Sequence, residues 1–392
     1  MNSAIQKTSN YLLRSIPLID KWLIGQLIPP LIFSISAFTV VSLSVGVMFD
    51  LIRKIVEFGL PFSLALKILF LKLPGFLVLS FPMSVLLSTL LTYGKLSSNS
   101  ELLALKSIGI KTSRFILPAL IVAVFMTGLT FFFNDSLVPY SNRIAEISMR
   151  NGLGKSTVIE QGHDIFFPGY GSLIDPRTNK PTKRNTYLTQ IFFSRVVENK
   201  IMKNVTLLDF SRIGNKQVLS AETASFDKDK DGWTFNNGKI VYFSDNNQTN
   251  IINFKKYFYP LGNGPLKISE ISKDANDMTV AEAIAAKNIY ENSGNLKEAR
   301  KMKVRIQEKF TLPFACVVFG LIGSSLGSKS NLRSSRSQGF GLSVILILIY
   351  YVISFVFSSL GVTGFINPII ATWLPVLISL IGGFYFLKRA SI

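Results

Sequence analysis

The chain has a single cysteine, Cys316, and a single histidine, His163, in 392 residues. One cysteine forbids an intramolecular disulfide, and one of each is too few for a Cys/His zinc site. Ser-His-Asp or Cys-His catalysis would have no histidine to spare beyond His163. Charge is scarce as well: 17% of residues are charged, with 23 acidic against 42 basic, a formal net charge of +19. Against these shortages stand 48% hydrophobic residues, 32 Phe and a mean hydropathy of +0.37. That balance excludes a disordered chain and is too apolar for an ordinary soluble globule. A membrane protein is what remains.

Long runs contain no Asp, Glu, Lys or Arg: Trp22 to Phe49, Leu73 to Gly94, Phe115 to Asn134, Phe310 to Ser328 and Ser337 to Leu387. A hydrocarbon core about 30 Å thick needs roughly 20 apolar helical residues, so each run is long enough to span it. The last is too long for one span and breaks at Gly361-Val-Thr-Gly364-Phe-Ile-Asn-Pro368, where two Gly and a Pro disfavour continuous helix. Six transmembrane helices follow, over about 23–49, 67–93, 115–134, 310–328, 340–360 and 369–387. The first run is too long for a signal peptide and no small-residue cleavage site follows it. The spans hold no ionisable side chain in their central portions, which argues against an ion-coupled transporter.

Six spans put both termini on one side. Lys7, Arg14, Lys21, Lys95, Lys106, Lys111, Arg114, Lys329, Arg333, Arg336, Lys388 and Arg389 fall on that side, opposed only by Asp20 and Glu101. The opposite short loops carry Arg53 and Lys54 balanced by Asp50 and Glu57. The positive-inside bias makes both termini cytoplasmic. Facing anionic lipid, this charge needs no nucleic-acid partner.

The chain is therefore read in three parts. Residues 1–134 hold spans one to three with a cytoplasmic loop helix at about 98–109. Residues 135–278 form an extracytoplasmic domain with a helical entry, and 279–392 hold linker helices and spans four to six. In the middle part, alternating β patterns at Thr157–Glu160, Tyr187–Val197, Met202–Phe210, Gln217–Phe226, Trp233–Phe243 and Thr249–Tyr259 suggest an all-β sandwich or jelly roll. The stretch 169–185 reads as a surface loop. Thr279-Val-Ala-Glu282 and Ser98-Asn-Ser-Glu101 both have capping-box spacing, and a second linker helix is expected after Asn295.

Nothing points to an enzyme: no catalytic residue and no metal site emerges. Gly154-Lys155-Ser156-Thr157 ends like a phosphate-binding loop, but Met149 stands where the loop needs its first Gly, so it reads as a turn. His163 reads as a loop residue and Cys316 as a small apolar helix residue. Gly320, Gly323 and Gly327 read as close helix packing. In the first cytoplasmic loop, Ser98 is the expected N-cap, Glu101 its partner and Gly109 the stop, with Leu102, Leu105 and Ile108 in one apolar stripe. Such a helix either lies in the membrane interface or is a knob presented to a cytoplasmic partner, with Glu101 as the charged contact.

With these elements in place, the chain resembles the LptF/LptG permeases of lipopolysaccharide export. The resemblance rests on the spans, the inserted β domain and the loop Glu101-Leu-Leu-Ala-Leu-Lys-Ser-Ile-Gly109. It rests also on Asn367-Pro-Ile-Ile-Ala-Thr-Trp-Leu-Pro375 and on Ala221 to Gly238 with Trp233. It implies an inner-membrane subunit of an ABC exporter, in which two six-span chains, identical or paralogous, enclose a lipid cavity gated by their first and fifth spans. ATP would be hydrolysed by a cytoplasmic LptB-like dimer docked on the loop helix through Glu101, Leu102, Leu105, Ile108 and Gly109, with no cofactor bound by this chain. The jelly roll would pass lipopolysaccharide or a similar glycolipid to LptC/LptA-like periplasmic proteins. Some members carry lipid-binding lysines in the first span, which 22–49 lacks; Arg53 and Lys54 are either their substitutes or interface anchors. Two other readings stay open: an ABC subunit that transmits force without moving lipid, and a membrane-anchored envelope receptor or scaffold.

Overall fold

The structure, a computed structural model, describes residues 17–153, 165–171, 173, 187–198, 201–212, 215–227, 230–244, 249–269, 277–328 and 336–391. The Gly154-Lys155-Ser156-Thr157 turn, the strand expected at Thr157–Glu160, His163, most of the 169–185 loop, and Lys7, Arg14, Lys329 and Arg333 lie outside the described residues. The described residues include six helices long and apolar enough to cross a membrane: Leu18–Phe58, Phe62–Ser98, Thr112–Met149, Leu296–Gly327, Gly339–Thr363 and Pro368–Ala390. The chain groups into two compact units, Met1–Leu153 with Val304–Ile392, and Gly154–Lys303.

In the first unit, span one is α1 (Leu18–Leu43), a π-helical turn (Ser44–Met48) and α2 (Phe49–Phe58). Span two is α3 (Phe62–Ser98), followed by the short α4 (Glu101–Ser107). Span three is α5 (Thr112–Phe132), a second π-helical turn (Phe133–Leu137) and α6 (Val138–Gly152). Two short helices, α7 (Gly264–Ser269) and α8 (Val280–Asn292), belong to the second unit. Spans four to six are α9 (Leu296–Gly327), α10 (Arg336–Thr363) and α11 (Pro368–Ser391).

Spans one and three outrun their charge-free stretches. Asp50, Arg53, Lys54 and Glu57, expected in a loop, sit on α2, where Lys54 Nζ meets Asp50 Oδ2 at 2.6 Å and Arg53 Nε meets Glu57 Oε2 at 3.8 Å. Pairing of opposite charges four residues apart lets a helix continue past the apolar segment. It stops at Gly59, in the left-handed region with φ 68°.

Span four is the innermost: 72% of its most apolar stretch is buried, against 17% for span five and 28% for span six. A Cβ at Gly323 would stand 2.1 Å from Thr89 Oγ1 and 2.9 Å from the Leu86 carbonyl, and one at Gly327 2.8 Å from Tyr93 Cβ. The glycines of α9 therefore seat it against α3, as small residues do where helix backbones approach closely. The seam's hydroxyls turn back on their own helices: Thr89 donates to Val85 O and Ser324 to Gly320 O. These two hydroxyls are therefore satisfied without a partner across the seam.

The second unit is all-β and antiparallel. Its strands β1 (Ile165–Gly171), β2 (Tyr187–Glu198), β3 (Ile201–Arg212), β4 (Asn215–Asp227), β5 (Gly232–Ser244) and β6 (Thr249–Tyr259) pair in sequence order as one meander. In a flat sheet β2 and β5 would lie roughly 14 Å apart at about 4.8 Å per strand. Yet the rings of Phe192 on β2 and Trp233 on β5 are 5.1 Å apart. The Tyr259 hydroxyl on β6 donates to Asp209 Oδ2 on β3 at 2.6 Å and accepts from Gln190 Nε2 on β2 at 2.9 Å. The sheet rolls around its own core, to which Phe167, Phe192, Met202, Leu207, Trp233 and Phe235 contribute. One curled sheet thus encloses the core that a sandwich builds from two.

The strand β1 departs from the sequence expectation, which began the surface loop at residue 169. Pro168, Gly169 and Gly171 hide the strand pattern, and pairing with β2 across a register shift at Gly169/Tyr170 supplies the order. The Thr279 capping box is present in full, with Thr279 N donating to Glu282 Oε2 and Glu282 N donating to Thr279 Oγ1. Helix α9 begins after Asn295, whose Oδ1 accepts from Glu298 N.

Candidate functional site

The loop between spans two and three carries a short helix of its own, α4. Only Asn99 and Ser100 separate α3 from α4. Because α3 runs through Ser98, the Ser98 hydroxyl bonds back to Lys95 O and caps nothing, which overturns the capping box expected there. Ser100 takes the turn in the left-handed region, φ 63°, and Glu101 becomes the first helical residue, its Oε1 accepting from Asn99 Nδ2 at 2.9 Å. At the far end Gly109, φ 86°, closes a Schellman motif: Gly109 N donates to Lys106 O and Ile110 N to Leu105 O.

The expected single stripe divides in two. Leu102 is 2% exposed and, with half-buried Leu105, joins a cluster containing Leu23 and Leu27 of α1, Tyr93 and Leu96 of α3, and Phe115 of α5. Ile108 is 72% exposed, because α4 ends at Ser107 and the helical spacing that would have placed it beside Leu105 no longer applies. Leu103 is 59% exposed. The loop thus has an inward anchor, Leu102 and Leu105, and two exposed apolar side chains, Leu103 and Ile108.

Polar contacts tie this loop to the ends of three spans. Lys106 Nζ and Thr112 Oγ1 both donate to the Ala390 carbonyl near the end of α11, at 2.8 and 3.3 Å. Arg114, in the first turn of α5, grips Asp20, in the first turn of α1: Nη1 to Oδ1 at 2.7 Å and Nη2 to Oδ2 at 2.8 Å. The Asp20 side chain is 6% exposed and that of Arg114 37%. Sequence reading assigned both to loops as topology charges and missed the pair. The available signal was Asp20 itself, one of only two acids among twelve basic residues on that side.

Arg53 and Lys54 are adjacent but differently placed. Lys54 is largely enclosed and occupied by Asp50 Oδ2 and by Met149 Sδ at 2.9 Å. Arg53 is 62% exposed and only loosely paired with Asp50 and Glu57, both at 3.8 Å.

At the opposite ends of the spans lies a polar cluster that sequence reading did not single out. Gln307 Oε1 accepts from Trp373 Nε1 at 3.0 Å, Glu308 accepts from Ser358 and from Arg305, and buried Lys309 donates to Asn134 O at 3.1 Å. Asn134 belongs to the π-helical turn of span three, where Val138 N reaches back five residues to Phe133 O. Span four is thereby fastened to spans three, five and six. In the second unit, a cavity of about 450 Å³ beside edge strand β1 is lined by Phe166, Pro168, Tyr170, Leu188, Tyr290 and Lys297, among others.

Comparison with known proteins follows the same outline. The family model for the lipopolysaccharide export system permease LptF/LptG matches residues 21–389. The chain is also similar to the uncharacterized protein RP871 of Rickettsia prowazekii (strain Madrid E), 23% identical over 275 residues, which are 67% of this chain and 70% of that protein.

Proposed function

The chain belongs to the LptF/LptG lipopolysaccharide export permease family, and from that premise we propose that it is the transmembrane subunit of an ATP-driven ABC exporter. It extracts lipopolysaccharide or a similar glycolipid from the inner membrane and hands it to LptC/LptA-like proteins in the periplasm. The termini and α4 face the cytoplasm and the β unit faces the periplasm, in keeping with the basic bias of the α4 side. A second permease chain, identical or paralogous, completes the cavity. No cofactor binds this chain.

The need for a motor is energetic. Each acyl CH₂ leaving lipid for water costs about 0.8 kcal/mol, so a many-chained lipid faces tens of kcal/mol. The observation that carries the reading is the division of α4. Leu102 and Leu105 hold it against the spans, while Leu103 and, just past the helix end, Ile108 are exposed. Exposed apolar side chains and the Glu101 carboxylate, on a loop anchored from beneath, suit the groove of an LptB-like ATPase dimer. Spans one and five present apolar surface for the cavity, with Phe33 66% and Phe355 75% exposed. Arg53, reaching outward from the end of span one, is the candidate contact for lipid phosphate, whereas Lys54 serves as an anchor. Among the described residues β6 is an edge strand of the sheet, and a periplasmic partner's sheet would add there.

The test is reconstitution with the ATPase in vesicles containing lipopolysaccharide, with photo-crosslinkers at Phe33 and Phe355. ATP-dependent lipid adducts at both positions are expected. ATP hydrolysis without adducts would favour force transmission without lipid passage, and failure to retain an ATPase would favour a receptor or scaffold.

A further inference from the structure

The Asp20–Arg114 pair does something that the apolar contacts around it do not. The cluster holding Leu102 and Leu105 is non-directional, so it resists separation but tolerates sliding. Two parallel N–H···O bonds between a planar guanidinium and a planar carboxylate fix orientation as well as distance. The pair joins the first turn of α5 to the first turn of α1. Only Ile108 to Lys111 lie between the end of α4 and the start of α5, and the Schellman closure at Gly109 stiffens that link. A displacement of α4 therefore reaches Arg114 within a few residues, and from Arg114 it reaches α1 through the carboxylate of Asp20. The other polar ties of the loop, from Lys106 and Thr112 to Ala390, lead to α11 instead.

We propose that Asp20 and Arg114 are positioning residues for transport, forming the joint that delivers movement of the ATPase-docked loop helix to the first span. The inference rests on the reading that α4 docks an ATPase and that span one borders the lipid path. Neither residue touches nucleotide or lipid in this account; they set when span one moves.

The experiment uses the full complex in vesicles and three variants: Asp20→Asn, Arg114→Gln, and the exchange Asp20→Arg with Arg114→Asp. Three quantities are read: ATPase subunit retained per permease, ATP hydrolysed, and lipid released per ATP. The single variants are expected to keep the ATPase and to hydrolyse ATP within about twofold of the parent, while lipid released per ATP falls at least tenfold. The exchange is expected to restore at least half of that ratio. A role confined to folding would lower assembly and leave the ratio unchanged. The proposal is overturned if Asp20→Asn keeps the parental ratio, if lipid release falls only in proportion to lost ATPase, or if none of the three variants assembles. Should the parent itself neither hold an ATPase nor release lipid, the exporter reading fails instead.

Discussion

Replacing Gly323 by alanine tests the packing of the innermost span most sharply. The added Cβ would stand 2.1 Å from Thr89 Oγ1, 2.9 Å from the Leu86 carbonyl and 3.3 Å from Leu86 Cδ1, where ordinary contact begins near 3.4 Å. The Thr89 hydroxyl can rotate away only by giving up its 2.7 Å bond to Val85 O. The Leu86 carbonyl belongs to the α3 backbone, so α3 and α9 must part by about half an ångström, the difference between 2.9 and 3.4 Å. A gap of that size forfeits roughly a quarter of each dispersion contact along the seam. Overpacking of this kind costs about 1–3 kcal/mol. Gly128 is the internal control: nothing lies within 4 Å of its added Cβ. Gly128→Ala should be neutral or stabilising by up to about 1 kcal/mol, from the gain in helix propensity. Reversible unfolding in mixed micelles, run side by side, should therefore move in opposite directions or differ by at least about 1 kcal/mol. Equal stability of the two variants would refute the close seating of α9 on α3.

Other outcomes follow from the same kind of local reasoning. Ser100→Gly relieves a left-handed residue that costs an L side chain about 1–2 kcal/mol, so hydrogen exchange in α4 should slow. Trp373→Phe keeps the ring beside Phe314, 5.5 Å away, but leaves Gln307 Oε1 without its donor. A loss of about 1–3 kcal/mol in stability is expected in an unfolding measurement. Tyr259 is held well above the ordinary phenol value, first by burial and then by donation to Asp209. Its folded state keeps the proton more tightly than the unfolded state. The stability it contributes is therefore whole below about pH 10 and is lost as pH rises through the folded value. Tyr259→Phe should weaken the β unit by about 1–3 kcal/mol at neutral pH and flatten its alkaline melting curve.

The spans were legible because ions are costly in hydrocarbon, which leaves runs such as Phe310 to Ser328 visibly empty of charge. Their ends were less so: charge marks where the apolar slab stops, not where the helix stops, and α2 continues on its own ion pairs. The two capping boxes show the limit of a four-residue motif. At Thr279 the box forms with both of its reciprocal bonds; at Ser98 the preceding helix has not yet ended, and it does not. Alternation located β2 to β6 but said nothing of how far the sheet curls. That is set by contacts such as Phe192 on Trp233, distant in sequence. The loop at residue 101 was found through Glu101 and Gly109, but the reach of its stripe was misjudged because Ile108 lies past the last helical residue. Asp20–Arg114 was invisible for the same reason that most tertiary ion pairs are: 94 residues separate the partners.

The most direct test of the central claim is site-specific crosslinking from the loop in intact cells. With a photo-reactive residue placed in turn at 102, 103 and 108, the account expects ATPase adducts from 103 and 108, none from buried 102, and a change in yield with nucleotide. Adducts to periplasmic proteins instead, or labelling of residue 108 by a reagent that cannot enter the cell, would contradict it.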